Sequence, residues 1–371
     1  MRAGLASAKV WVVKVGSALL TGDGQGIDAD SLDRWCGQIA DLHVEGRRVV
    51  VVSSGAVAEG CRRLGFDERP VTIHDLQAAA AVGQSGVSEA YEQAFRRRGR
   101  HIGLVLLTHD DLSDRQRYLN ARTTLTTLLD LGVVPVINEN DSVATEEIKL
   151  GDNDTLAGMV ASLLSADVLV LLTDQKGLHE VDPRLEPGAS LVAEAAAADP
   201  SLDAMAGGGT GRLGRGGMVT KLAAARLAAL SGTHTVIADG GAPDILRSLA
   251  HGEPVGTLLT ADVAPLDARK RWIAQLRARG ALHVDAGAVV AIVNRGVSIL
   301  PAGVAAADGS FRRGDMVRVL GPDGEEVAKG LANYDVAETR KLAGRKSDEI
   351  ESILGYVDER ELVHRDNLVV L

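Results

Sequence analysis

The sequence predicts an α/β fold, with a largely parallel sheet buried under helices on both faces and a smaller β-rich domain after it. Three observations carry this. Short continuous runs of Val, Ile and Leu alternate with longer Ala- and Leu-rich segments of helical spacing, the pattern of strands covered on both sides. Aromatic residues make up only 3% of the chain, so branched aliphatics and alanine must build the core. After about residue 262 the runs shorten, and turn signals such as Pro322-Asp323-Gly324 appear.

The elements follow in order. Val10–Val15 reads as a strand. Asp30–Gly46 reads as a helix, because Leu32, Trp35, Cys36, Ile39 and Leu42 recur near helical spacing. Arg48–Val52 is the next strand, closed by the turn Ser53-Ser54-Gly55. A helix around Leu76–Arg97 leads to a strand at Ile102–Leu107. Leu119–Leu131 is a helix that stops at Gly132, before a strand at Val133–Ile137. Asp154–Ser165 and Met218–Ser231 are helices, and Val168–Leu172 and Thr235–Ala238 are strands. Ala264–Arg279 reads as a linker helix. Beyond it, His283–Val284, Val289–Val293, Met316–Leu320, Val327–Ala332 and Leu368–Leu371 read as strands, and Ser347–Leu354 as a short helix.

Composition narrows the function. The length of 371 residues implies two domains. A formal net charge of −10 disfavours nucleic acid or an anionic membrane as a partner of the whole chain. Any bound anion therefore needs a local basic cluster. Cys36 and Cys61 are too few and too far apart for a disulfide framework or a zinc site, and read as reduced core thiols of a cytoplasmic protein. Lys9 and Lys14 interrupt the N-terminal apolar run, so no secretory signal is read there. Asp167 interrupts the most apolar stretch, so no membrane span is expected.

Parallel sheets bind ligands at the carboxyl ends of their strands. There the sequence places Lys14-Val15-Gly16-Ser17, Ser53-Ser54-Gly55-Ala56, Asn138-Glu139-Asn140-Asp141 and Thr173-Asp174. Lys14 lies inside an apolar run, where it needs an anionic partner or must reach out to water. A glycine-dense loop, Gly207 to Gly217, feeds the helix that carries Lys221. It fits no Walker pattern. It reads either as an anion cradle, through backbone N–H groups at a helix start, or as a surface loop. At Gly151-Asp152-Asn153-Asp154 one residue suits an N-cap. The wider Asn/Asp cluster, reaching back to Asp141, suits a zwitterionic amino acid.

The chemistry follows from charge. A carboxylate of pKa about 4.3 is already ionised at neutral pH and needs no general base to attack phosphorus. The obstacle is bringing it to a polyanion and stabilising the phosphoryl group in flight, which lysines, backbone N–H groups and Mg²⁺ accomplish. Lys14, Lys221 and the glycine loop match that task better than hydrolysis or redox work.

Together these segments resemble the glutamate 5-kinase family, within the amino acid kinase fold. The resemblance runs from Val12-Val13-Lys14-Val15-Gly16-Ser17 through Ala80-Ala81-Val82-Gly83-Gln84-Ser85, Pro135–Asp141, Glu147–Asp154 and Leu172–Leu178 to Gly216-Gly217-Met218-Val219-Thr220-Lys221. The C-terminal part, from Leu282 to Asp366, resembles a PUA domain. The resemblance implies a three-layer αβα sandwich over 1–262, a linker at 263–280 and a PUA-like domain over 281–371. It implies transfer of phosphate from ATP, with Mg²⁺, to the γ-carboxylate of L-glutamate, the first step of proline biosynthesis. Lys14, Lys221 and Asp154 would be catalytic, with Asp154 orienting the lysines. Ser54, Asp141 and Asn153 would bind glutamate. Lys14, Thr173, Asp174, Arg215, Gly216, Gly217, Met218, Val219, Thr220 and Lys221 would meet the nucleotide. In many relatives a small polar residue stands at Arg215 and a serine at Val219, so side-chain contacts from those positions differ here. Proline as a feedback inhibitor, hand-over to glutamyl phosphate reductase and a homo-oligomer are also implied.

The alternatives within the fold are kinases of N-acetylglutamate, aspartate, carbamate or a nucleoside monophosphate. An RNA-binding role for the PUA-like part is the alternative of another class. Residues 281–371 hold eleven Lys and Arg against fifteen Asp and Glu, a poor footprint for RNA.

Overall fold

The computed structural model describes residues 2–22, 26–143, 153–206, 217–261 and 278–370. The chain divides into two compact units, each described by itself. The larger carries, among the described residues, an eight-stranded sheet: β1 Val10–Val15, β2 Arg48–Val52, β3 Ile102–Leu107, β4 Val134–Glu139, β5 Val168–Thr173, β6 Glu194–Ala196, β7 His234–Asp239 and β8 Thr257–Thr260. Their order is β3-β4-β2-β1-β5-β7-β8-β6. Every pairing is parallel except β7 with β8. The predicted sheet is therefore present, with one antiparallel step near its edge. β6 and β8 went unread because one is a three-residue Ala-rich segment and the other a short run beside Gly256.

The longer helices here are α1 Ala29–Val44, α2 Ala56–Leu64, α3 Ile73–Arg96, α4 Arg115–Asp130, which counts with this unit from Asn120 on, α5 Asn153–Leu164 and α6 Met218–Leu230. Helix α1 starts at Asp28, whose side chain accepts from the Ser31 N–H. The predicted stripe of Leu32, Trp35, Cys36, Ile39 and Leu42 is buried, and packs with Trp11, Val13 and Val15 of β1 and with Val49 and Val51 of β2. Val87, Tyr91 and Phe95 of α3 join that core. Alternation along β1 turns Val12 and Lys14 to the opposite face. Helices α5 and α6 contact the sheet there. Cys36 is buried, but Cys61 is only partly so, and both are free thiols.

The smaller unit holds a five-stranded sheet: β9 Gly280–Val284, β10 Val304–Gly309, β11 Met316–Leu320, β12 Glu326–Leu331 and β13 Leu368–Val370, in the order β10-β9-β11-β12-β13. One expectation is overturned. Val289–Val293 is not a strand but part of a helix, α7 Ala286–Arg295. Asp285 caps it by accepting from the Ala288 N–H, and Gly296 ends it in a left-handed conformation. A short apolar run fits strand or helix equally by pattern. Here the flanking cap residues decide. The linker helix expected at Ala264–Arg279 lies almost wholly outside the described residues.

Candidate active site

Strand order becomes spatial order at the carboxyl edge of the large sheet. Asn138 and Glu139 end β4, Ser53 and Ser54 follow β2, Lys14 and Gly16 lie at the end of β1, and Thr173 and Asp174 close β5. With strands about 4.8 Å apart, the row from β4 to β5 spans about 14 Å. Amides stand at one end, a lysine in the middle, and a threonine–aspartate pair at the other.

The centre of the row is a buried triad. Lys14 Nζ lies 2.6 Å from Asp154 Oδ1, and Lys221 Nζ lies 3.2 Å from Asp154 Oδ2. The three residues come from β1, the first turn of α5 and the first turn of α6. Asp154 is wholly buried and each lysine is 7% exposed. Thr220 Oγ1 donates to Asp154 Oδ2 at 2.8 Å and fixes the carboxylate further. Burial alone would push the Asp154 carboxyl up. The Lys14 and Lys221 ammoniums and the hydrogen bonds from Lys14 and Thr220 outweigh it, holding the group well below the usual carboxylate range. Two cations around one anion leave one net positive charge in a site of low dielectric, where an anion is strongly attracted. Gly16 adds no bulk: a Cβ there would come within 3.9 Å of Lys14 Nζ.

The amide end is equally ordered. The Asn153 side chain does not serve only as a helix cap, as the sequence allowed. Its Nδ2 donates to Asn138 Oδ1 at 2.7 Å and to the Ser53 carbonyl. Asn138 Oδ1 also accepts from the Glu139 N–H at 2.9 Å, and Asn138 Nδ2 donates to Gln84 Oε1 at 2.7 Å. Ser54 is buried beside Gly55, which takes φ 90° to start α2. Asp141 lies in the turn after β4, half-buried. At the far end Thr173 Oγ1 donates to Asp174 Oδ1 at 3.0 Å, and the Gly240 N–H donates to the Thr173 carbonyl.

The structure thus brings Lys14, Asp154, Thr220 and Lys221 together directly, and ties Asn153 to the edge that carries Ser54. Gly217 precedes α6 with no side-chain cap on it, and Met218 and Thr220 are half-buried while Val219 is exposed. The expected contributors Arg215 and Gly216 lie outside the described residues, as do Gly151 and Asp152. Sequence reasoning assigned no role to Asn138 or Gln84. The available signal was a glutamine within an Ala- and Gly-rich helix and an asparagine ending an apolar strand. Among the described residues no group of three His, Cys, Asp or Glu side chains could hold a metal ion.

Comparison with known proteins agrees with this geometry. The model of the amino acid kinase family matches residues 9–239, and that of the PUA domain matches residues 280–354. A glutamate 5-kinase of Chromohalobacter salexigens is 58% identical over 371 residues, covering 100% of this chain and 98% of its own. One of Stutzerimonas stutzeri is 56% identical over 372 residues, covering 100% of both chains. One of Thioalkalivibrio sulfidiphilus is 57% identical, covering 99% and 98%. From β1 to the last strand, then, the chain belongs to the glutamate 5-kinases of the amino acid kinase family, with a PUA domain at its C-terminal end.

Proposed function

We propose that this protein transfers the γ-phosphoryl group of ATP to the side-chain carboxylate of L-glutamate, giving γ-glutamyl phosphate, the first step of proline biosynthesis. The observation that carries the reading is the sharing of Asp154 between Lys14 and Lys221, midway along an edge with amides on one side and Thr173 and Asp174 on the other.

Each residue then has a physical task. Asn153, Ser54 and Asp141 hold glutamate with its side-chain carboxylate towards β1. That carboxylate is already ionised, so positioning and charge neutralisation do the catalytic work. Lys14 contacts the phosphates, and Lys221 follows the negative charge of the phosphoryl group between donor and acceptor. Asp154 keeps both ammoniums aimed at one point and prevents their mutual repulsion from parting them. Thr173, Asp174 and the segment Arg215 to Lys221 hold the nucleotide, with the first N–H groups of α6 facing its phosphates. Mg²⁺ would accompany the nucleotide and would supply neutralising charge on its phosphates.

Proline competing near the glutamate site, delivery of the labile acyl phosphate to glutamyl phosphate reductase, and a homo-oligomeric assembly belong to the same reading. No described helix is long and apolar enough to cross a membrane. Coupled ADP release across glutamate, aspartate, N-acetylglutamate, carbamate and a nucleoside monophosphate tests the assignment. Turnover with glutamate is expected; turnover with aspartate alone would overturn it.

A further inference from the structure

The amide end of the site has a fixed hydrogen-bond polarity. The Ser53 carbonyl can only accept, so the atom of Asn153 against it must be the amide nitrogen. The Glu139 N–H can only donate, so the atom of Asn138 against it must be the oxygen. Both ends of the chain are anchored on backbone, and both demand the same orientation of Asn138. Its nitrogen therefore faces Gln84, and Gln84 must present its oxygen. What remains is Gln84 Nε2, a donor that is buried and has no hydrogen-bond partner among the described residues. A buried amide N–H without an acceptor is costly, and its persistence in an otherwise paired network calls for a ligand atom.

Packing holds Gln84 in place. The preceding residue, Gly83, lies where a Cβ would fall 1.9 Å from the Ala56 carbonyl oxygen, and Gly60 meets Ala79 as closely at 1.7 Å. Helices α2 and α3 thus touch through backbone. That contact fixes α3 against the first residue of α2, two positions beyond Ser54. Gln84 is carried to the substrate edge by a joint with no room to slide.

We propose that Gln84 is a further glutamate-binding residue, its Nε2 donating a hydrogen bond to a carboxylate oxygen of the substrate. This rests on the reading of Asn153 and Ser54 as the glutamate site. The acceptor must be anionic or carbonyl-like, because an ammonium would meet a second donor. A substrate with two carboxylates supplies it.

Gln84→Glu is the sharpest test. A carboxylate at this position still accepts from Asn138 Nδ2, so the network survives, while the donor is lost and a like charge is added. The glutamate KM is expected to rise at least tenfold, with the ATP KM within twofold and the thermal midpoint retained. Gln84→Met, apolar and of similar length, removes the donor but also the oxygen that Asn138 Nδ2 meets, so the glutamate KM is expected to rise severalfold together with a modest fall in the thermal midpoint. A glutamate KM unchanged in both variants would overturn the proposal, as would a fall in thermal stability with the KM preserved, which marks a purely structural role. Asn153→Ala is measured alongside. If its glutamate KM rises while those of the Gln84 variants do not, the site stands and the inference about Gln84 fails. If none of the three moves it, the glutamate site itself is misassigned.

Discussion

Gly158 and Ala224 meet backbone to backbone: a Cβ on Gly158 would lie 2.8 Å from the Ala224 carbonyl oxygen. Gly158 is one turn beyond Asp154 on α5, and Ala224 is one turn beyond Lys221 on α6. The missing side chain lets the two helices approach closely enough for the carboxylate and the ammonium to meet. Gly158→Ala forces a shift that no flexible side chain can absorb. Overpacking of this kind costs about 1–3 kcal/mol. The variant should lose kcat by up to about 10²-fold if the lysine moves by an ångström, and its denaturant midpoint should fall. Wild-type kcat in Gly158→Ala would mean that the spacing of α5 and α6 is not what sets the triad.

Removing the anion should be worse than removing either cation. Asp154→Ala leaves Lys14 and Lys221 buried with like charges facing each other. Breaking a buried ion pair from one side costs about 3–5 kcal/mol. Urea unfolding is expected to show that loss together with a collapse in kcat, and Asp154→Asn should fall between the two in stability. Stability within 1 kcal/mol of wild type in Asp154→Ala, on the same scale, would contradict the buried-triad account.

One contribution to the pH dependence of stability comes from His43 of α1. Burial first, and the Arg100 guanidinium second, push its pKa from the ordinary value down to about 4. The sign follows from linkage. In the unfolded chain the imidazole takes up a proton near pH 6.5, while the folded protein holds it neutral. Stability is therefore full above that value, declines as pH falls, and stops declining on this account below about 4, where the folded form also protonates. His43→Gln should flatten the curve of stability against pH between those limits. Equal slopes for variant and wild type across that window would show that His43 makes no such contribution.

Much of this was legible in the chain alone. The runs Val10–Val15, Arg48–Val52 and Ile102–Leu107 match β1, β2 and β3 residue for residue; β1 and β2 are buried on both faces and so read as continuous aliphatic runs between polar turns. Lys14 stood out for the same reason, as a charge where only apolar residues fit. Three things were less legible. Val289–Val293 is too short for period to separate strand from helix, and only Asp285 and Gly296 disclose the helix. β10 is alanine-rich, and alanine carries little strand preference. Gln84 gave no signal of its own, since its importance lies in the direction of an amide fixed by Ser53, Asn153, Asn138 and Glu139, which come from separate stretches of sequence.

The central claim is that Lys221, brought to Lys14 by Asp154, stabilises charge on the phosphoryl group as it moves. An interaction made mainly in the transition state lowers kcat when lost and leaves substrate binding largely intact. Steady-state kinetics of Lys221→Ala test this most directly. The account predicts a kcat lower by about 10²-fold or more, the scale of losing one charge-stabilising group, with the glutamate and ATP KM values within a few-fold of wild type. An unchanged kcat, or a loss confined to the ATP KM, would contradict it.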